Sequence, residues 1–401
     1  MAGVPVTGNV STEEVLSDER VIDMDSTIRR LKTDDAQFTT MTRRLPSKVA
    51  VREKVNWLEE EDFPRIVTSS AGYAVSVTTI VLTATHGKLV AVNDLLRNMR
   101  TGEGMRVTAV STDTLTVDRG VGALFPGTGA AINALDPILV VADSQPQGSD
   151  FPTPRYLQRV LGYNYTQITR TTLGFTNTTT SIELYGGREP AKEVVRLKRV
   201  DDRKWEAIAF WGMRAFQAST PPDNEPKGAA GGLLEFIQTF KRDANGPLTP
   251  TFFDLLLMDS MQYGSTDKVL FAAPVVVACM SAWNRQGMGA QWDPGNGRNV
   301  HGVFVDAFIS GAYGYRIPVV VKKEFGEFYN TANPKGFGSY AFLVDMSLVA
   351  RRPLRDRDTR MLTDQQPKGK DTYNAELRTE ASLQIAQERA HAIIYGVTAP
   401  P

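Results

Sequence analysis

A single cysteine, Cys279, stands in the apolar run VVVACMSAW. A disulfide framework is therefore excluded, which fits a reducing compartment. Such a residue is either a nucleophile or a small buried apolar group, and its setting favours the second. Only three histidines occur, His86, His301 and His391, and none has the HExxH or H-x-H spacing that holds a metal. There is no GxSxG nucleophile elbow and no GxxxxGK[ST] phosphate loop. Neither sign of charge is in excess, with Lys plus Arg and Asp plus Glu both at 45. That balance argues against a dedicated nucleic-acid binder, and it does not oppose self-association. The longest apolar run, VLFAAPVVVACMSAW, is too short to span a bilayer and contains Pro274. The first twenty residues carry neither a basic nor an apolar leader region, so a soluble protein made in the cytosol is expected.

The 401 residues suffice for two or three domains. The first 60 read as short helical pieces in a charged setting. Ser11 and Glu14 have capping-box spacing, and DDAQFTTMTRRL (34–45) is a second helix closed by Pro46. Neither is long enough to stand alone in water, so each needs a surface to lie on. Glu59, Glu60, Glu61 and Asp62 form an acidic run without a histidine, read as a solvated or intersubunit patch rather than a metal cluster.

From 63 to 187 the chain turns β-rich. VSVTTIVL, GMRVTAV, DTLTVDRG and DPILVVAD carry β-branched residues between turn formers. They predict a small barrel or sandwich over about 74–143, with MRVTAV-STD-TLTVDRG as a hairpin. A linker rich in Pro, Gly and Ser follows, then a threonine-rich extended stretch. Two glycosylation sequons, at Asn164 and Asn177, have no secretion signal to support them. A long helix begins at 189, with Pro190 in its first turn and an apolar stripe through Val194, Leu197, Trp205, Ile208, Trp211 and Phe216. Its expected length of about 28 residues would span roughly 42 Å. The opposite face carries Lys192, Arg196, Lys198, Arg199, Asp201, Asp202, Arg203 and Lys204. That run is either a solvated face or a contact with another copy.

Residues 226–344 read as α/β. A helix at 249–264 has Thr249 as its cap, Pro250 next and Gly264 beyond its end. KVLFAAP is a strand, PVVVACMSAWNR a buried helix, and WDPGNGRN (292–299) a surface loop. FGSYAFLVDMSLVARRPL is a further strand, and the tail mixes strand and helix character. RRPLRDRDTR contains Arg351, Arg355, Asp356, Arg357 and Asp358. Its alternating signs suggest an ion-pair seam more than a phosphate contact. RTGEGMRV (100–107) has the look of a phosphate loop, yet it lacks the third glycine and β-patterned sequence follows it. It reads as a turn before a strand, leaving Arg100, Glu103 and Arg106 exposed at the edge of the β module.

This order of segments resembles the major capsid protein family of tailed bacteriophages, whose fold is shared with encapsulin shells. The resemblance rests on residues 28–65, on LRNMRTGEGMRVTAVSTDTLTVDRGVG (96–122), on NYTQI (164–168) and on WEAIAFWGMRAF (205–216). GGLLEFI (231–237) and the ending TEASLQIAQERAHAIIYGV (379–397) complete it. It covers nearly the whole chain, through diffuse motifs taken as an ordered set. It implies an α+β capsid fold with an N-terminal arm (1–62) and an extended loop (63–187) carrying the β module. A peripheral domain (188–225 and 345–401) would hold a spine helix, beside an axial domain (226–344). It implies a non-enzymatic shell subunit without cofactor or metal, assembling as pentamers and hexamers into an icosahedral head around double-stranded DNA. The arm and loop would reach over neighbouring copies. Portal and scaffolding proteins, and decoration proteins, are the implied partners. No long coiled segment precedes residue 28, so a separate scaffold is expected. The charged residues named at 59–62, 100–106, Arg196, Arg199, Arg203 and 351–358 are the candidate contacts between copies. An encapsulin-like compartment, or a cytosolic enzyme with an unrecognised site, is the alternative.

Overall fold

The computed structural model describes residues 36–152, 154–182, 189–219, 225–287, 307–309, 314–330 and 335–400. The expected helix at Ser11, the loop at 292–299 and His301 lie outside these residues. The chain forms two compact units, one of residues 58–161 and one built from the segments on either side of it.

Helix α1 (Gln37–Arg44) is short, as its sequence predicts, and Leu45 and Pro46 end it. Its surface is supplied by its own chain. Glu206 accepts hydrogen bonds from the Phe38 and Thr39 amides (3.0 and 2.7 Å) and from Thr39 Oγ1 (2.7 Å). A carboxylate is thereby placed on the unpaired amides that begin α1. Lys322 Nζ donates to the same carboxylate at 2.7 Å, with both side chains almost wholly buried. Phe38 fills the space beside them, 5.1 Å from the Phe210 ring and 5.3 Å from Phe271. Residues 36–44, expected in an arm that lies over neighbouring copies, here pack against the core of their own chain. Strand β1 (Lys54–Glu59) follows, burying Val55 and Trp57 on alternate positions.

The unit of residues 58–161 is a single antiparallel sheet. Its strands are β2 (Ile66–Thr68), β3 (Thr79–Val81), β4 (Asp94–Asn98), β5 (Gly104–Ser111), β6 (Thr114–Arg119) and β7 (Pro137–Asp143). They pair in the order β2-β7-β4-β5-β6-β3. A bridge between Ser69 and Leu82 joins the two outer strands, with Thr83 N donating to Thr68 O (2.8 Å) and Ser70 N to Val81 O (2.9 Å). The sheet closes on itself and leaves no long edge. Alternation directs Met105, Val107, Leu115 and Val117 inward against Val67, Ile80 and Ile138. The module starts at 66 rather than 74, because the short IVT strand completes the closure.

Strands β8 (Val160–Tyr165) and β9 (Gln167–Thr176) carry the threonine-rich stretch; β8 pairs with β1. A short helix α2 (Asn177–Ser181) ends it. Helix α3 (Glu189–Trp211) has 23 residues, shorter than the sequence suggests. It ends at Gly212, where the 230 segment comes so close that a Cβ would lie 2.4 Å from both the Ala230 and Ile208 carbonyl oxygens. Phe216, expected on the helix, lies in β10 (Ala215–Gln217), stacked on Tyr165. Asp201, expected on the charged face, is fully buried. It accepts from the Thr169 and Thr379 hydroxyls, both at 3.1 Å, and burial pushes its carboxyl above the usual range.

Strand β11 (Lys227–Ala229) pairs with β10, and helix α4 (Leu233–Phe236) follows. Then come β12 (Lys241–Pro247), α5 (Pro250–Ser260), β13 (Lys268–Ala272), α6 (Pro274–Gly287), β14 (Ala307–Ile309), β15 (Arg316–Val321) and α7 (Lys323–Glu327). Thr249 Oγ1 caps α5 by accepting from Phe252 N, as its sequence predicts. The FGSYAFLVDMSLVARRPL segment divides into β16 (Ala341–Asp345) and β17 (Val349–Pro353), which join different sheets. The tail is nearly all strand: β18 (Arg360–Leu362), β19 (Thr372–Ile385) and β20 (Ala392–Thr398). One sheet runs β12-β20-β16-β13-β15-β14; in the other, β19 pairs with β17, β18 and β9. The last strand therefore lies inside the sheet of 241–345, across the boundary expected at 344. Its AIIYGV sequence is apolar on both faces and suits an interior position. Phe210, Trp211, Phe271, Phe325, Tyr340 and Phe342 form the aromatic centre of this core.

A buried polar cluster sits where α5, β13 and β16 meet. Lys268 Nζ donates to the Ser260 and Tyr263 carbonyls (2.6 and 2.9 Å), satisfying the end of α5, and burial lowers its pKa to about 8. Asp345 also pays a burial penalty, but hydrogen bonds from Ser347 and Ser265 hold it below the usual carboxylate range. His391 Nδ1 accepts from the Asp345 amide at 3.1 Å, while Nε2 faces the Ala386 carbonyl at 3.2 Å. This arrangement requires the neutral Nε2–H tautomer, and burial lowers the pKa to about 4.

Two outcomes follow. Glu206→Ala breaks the buried ion pair with Lys322 and uncaps α1, so stability in urea falls by about 3–5 kcal/mol. Limited proteolysis then cuts within 36–53 under conditions that spare the parent protein. His391 has a folded pKa below its unfolded value, so its contribution is complete above pH about 6.5 and is lost as pH falls towards 4. The loss is about 3 kcal/mol for a full shift of this size. Denaturation curves across that window show the decline, and His391→Gln flattens it.

Candidate interaction surface

RTGEGMRV turns tightly into β5. Asn98 Oδ1 accepts from the Arg100 and Thr101 amides (2.9 and 3.2 Å), and Gly102, at φ 82, donates to Asn98 O at 2.8 Å. Gly104 is needed for close approach, since a Cβ there would lie 2.2 Å from the Val121 carbonyl oxygen. The three charges of this stretch have different fates. Arg100 grips Asp136 through Nε (2.8 and 3.0 Å) and Nη2 (2.7 Å). That pairing holds the Asp136 carboxyl well below the usual range, against the cost of its burial, with help from Asn133 and Asn98. Glu103, expected at the exposed edge, is fully buried. The turn aims it inward, where Arg119 Nε and Nη2 donate to it at 2.6 and 2.8 Å. Arg100 stays exposed even while it holds Asp136, and Arg106 is exposed on the outward positions of β5.

The other expected contacts also divide. Glu60 pairs with Arg159 at 3.0 Å, both well exposed, a pairing worth little in water. Glu61 and Asp62 are exposed and Glu59 is half-buried. Among the described residues no His, Cys, Asp and Glu cluster could hold a metal ion. On α3, exposed Arg196 meets Glu193 one turn away (3.2 Å), Arg199 is half-buried, and Arg203 lies 3.6 Å from Glu324. Arg351 is buried, 2.5 Å from Asp358 and over the Trp205 ring at 6.0 Å. Arg357 pairs with Glu380, whereas Arg355 and Asp356 are exposed in the turn, with Asp356 at φ 59.

The partners Asp136, Arg119, Glu376 and Glu380 escape sequence reasoning. Glu376 takes Arg170 at 2.5 Å and also Arg378. A signal existed for part of this set: ELRTE (376–380) alternates charge with period two, placing Glu376, Arg378 and Glu380 on one face of β19. Nothing local announces Arg119, sixteen residues from Glu103. The surface also presents apolar groups, with Phe151 91 % and Tyr156 81 % exposed.

Glu103→Gln deprives buried Arg119 of its counter-ion, so the closed sheet loses about 3–5 kcal/mol. Hydrogen exchange across 66–143 accelerates accordingly, whereas Arg106→Glu changes stability by no more than about 0.5 kcal/mol.

Residues 6–398 match the family described as SU10 major capsid protein. A relative named major capsid protein, from Pseudomonas phage PaMx41, is 24% identical over 265 residues, covering 63% of this chain and 62% of its own length. Among solved structures, the capsid of a native GTA particle is 10% identical at a TM-score of 0.48, covering 96% of this chain and 98% of its own. The structure named for Gordonia phage Cozz is 9% identical at a TM-score of 0.49, covering 96% and 93%. The SrpI encapsulin of Synechococcus elongatus is 11% identical at 0.41, covering 61% and 80%. With a family match that runs from residue 6 to 398, the chain belongs to the SU10 major capsid protein family.

Proposed function

We propose that the chain is the shell subunit of a phage head. Copies assemble as pentamers and hexamers into an icosahedral capsid around double-stranded DNA, and the protein resides in the virion. The observation that carries this reading is the family match over residues 6–398, which takes in both compact units. Balanced charge suits a container that encloses DNA without gripping it by sequence. Phe151 and Tyr156, left in water by a lone subunit, suit burial against another copy. In this reading α3 is the spine helix and residues 58–161 are the extended loop with its closed β module. Scaffolding and portal proteins, and decoration proteins, are further partners.

Within the candidate charges, Arg106, Arg355, Asp356 and Asp62 are exposed. We assign contacts between copies to them before the buried Glu103 and Arg351, whose charges already serve their own fold. Breaking such internal pairs to serve a neighbour would cost more than a surface contact returns.

Expressed alone or with a scaffolding protein, the chain forms closed shells in negative-stain images and sediments as a large particle. A monomer or dimer at every concentration, with scaffold present, refutes the reading. The double variant Phe151→Ser, Tyr156→Ser folds normally by circular dichroism and shifts the population from shells to unassembled subunits. Charge reversal at Arg355 weakens assembly more at low salt than at high salt.

A further inference from the structure

Asparagine precedes glycine at Asn245–Gly246 and Asn296–Gly297. The second pair lies outside the described residues. The first sits in β12, where the register against β20 shifts between Asp243 and Gly246, so that Ala244 and Asn245 leave the ladder. Asn245 is exposed and holds left-handed backbone at φ 47. Its amide N–H donates to Asp243 Oδ1 at 2.9 Å. Among the described residues, no hydrogen bond holds its side-chain amide. Gly246 is equally open, since a Cβ built on it would meet nothing nearer than the Ala244 carbonyl oxygen at 4.0 Å.

We propose that Asn245 is a site of spontaneous deamidation, passing through a cyclic imide formed with Gly246. The Gly246 nitrogen loses its proton and bonds to Asn245 Cγ, and the side-chain nitrogen leaves as ammonia. Water then opens the five-membered ring. Cleavage of the new Cγ–N bond gives aspartate. Cleavage of the bond between the Asn245 carbonyl carbon and the Gly246 nitrogen gives isoaspartate, which carries the chain through the side chain and lengthens it by one carbon. Water is the only co-reactant, and no oxidant or reductant is needed.

Two features favour this position. Glycine places no side chain over the attacking nitrogen. The bulge takes Asn245 out of the ladder, which resumes only at Gly246, so Asn245 has no ladder pairing to hold its backbone against the rotation that ring closure needs. The product adds a negative charge two residues from Asp243, whose carboxylate holds Lys335 Nζ at 2.7 Å. Among the described residues β12 is an outer strand paired with β20 alone, so the change alters a sheet edge rather than the core. The proposal uses the folded chain alone and stands whether or not copies form a shell.

The test ages the full-length protein in mildly alkaline buffer, followed by rapid digestion and mass spectrometry that separates Asn, Asp and isoAsp. Unaged protein, digested in parallel, corrects for conversion during handling. Asn245 converts several-fold faster than Asn93, Asn98 and Asn164, with isoaspartate the larger product and a rate that rises with pH. Asn245→Gln removes the product from that peptide. Conversion at Asn245 no faster than at those three positions overturns the proposal, whether the urea-unfolded chain converts there or not.

Discussion

The carboxylate of Glu206 is the point on which the larger unit turns. It sits in an aromatic interior, where an unpaired charge costs several kcal/mol. The fold meets that cost by filling its acceptor sites: Lys322 Nζ, the Phe38 and Thr39 amides and the Thr39 hydroxyl all converge on it. Three remote stretches of chain, around 38, 206 and 322, must be in place together for this to happen. The eight residues of α1 would not stay helical alone, but they are helical here because α3 supplies an anion at their start and an aromatic slot for Phe38.

The β module of residues 58–161 uses the same device at smaller scale. Arg119 and Glu103 are buried as a forked pair, and Arg119 also donates to the Val77 carbonyl at 2.8 Å, tying the closed sheet to the loop before β3. A guanidinium suits this role because its fixed donors reach a carboxylate and a carbonyl together. Both units thus spend charge on internal registration. What remains outside is the larger share of the charges, with aromatic groups such as Phe151 and Tyr156. A surface of that kind suits assembly, since contacts between copies can then form without dismantling the subunit.

Legibility in the sequence followed the range of the interaction. The cap of α5 by Thr249, the apolar helix α6 and the hairpin of β5 and β6 all rest on neighbours within a few residues, and all were readable. α3 is shorter than its helical stripe suggests, and the close approach of the Ala230 carbonyl at Gly212, just past its end, is invisible in that stripe. Glu103 likewise reads as exterior from its sequence, because its partner Arg119 is sixteen residues away, on another strand. Asp201 reads as one more charge on a solvated face until Thr169 and Thr379 are brought beneath it.

The sequence by itself determined the balance of charge, a single cysteine and three histidines without metal spacing, the β-patterned and helical segments, and RTGEGMRV as a turn. Those properties depend on composition and on periodicity along the chain; the capsid class came from the resemblance of the ordered segments to that family. Only the tertiary structure decided which charges are internal and which face outward, where the β module closes, and that the last strand enters the sheet of 241–345. Burial and pairing are properties of three-dimensional neighbours. A carboxylate in sequence carries no mark that distinguishes Glu103, buried against a guanidinium, from Asp62, exposed to water.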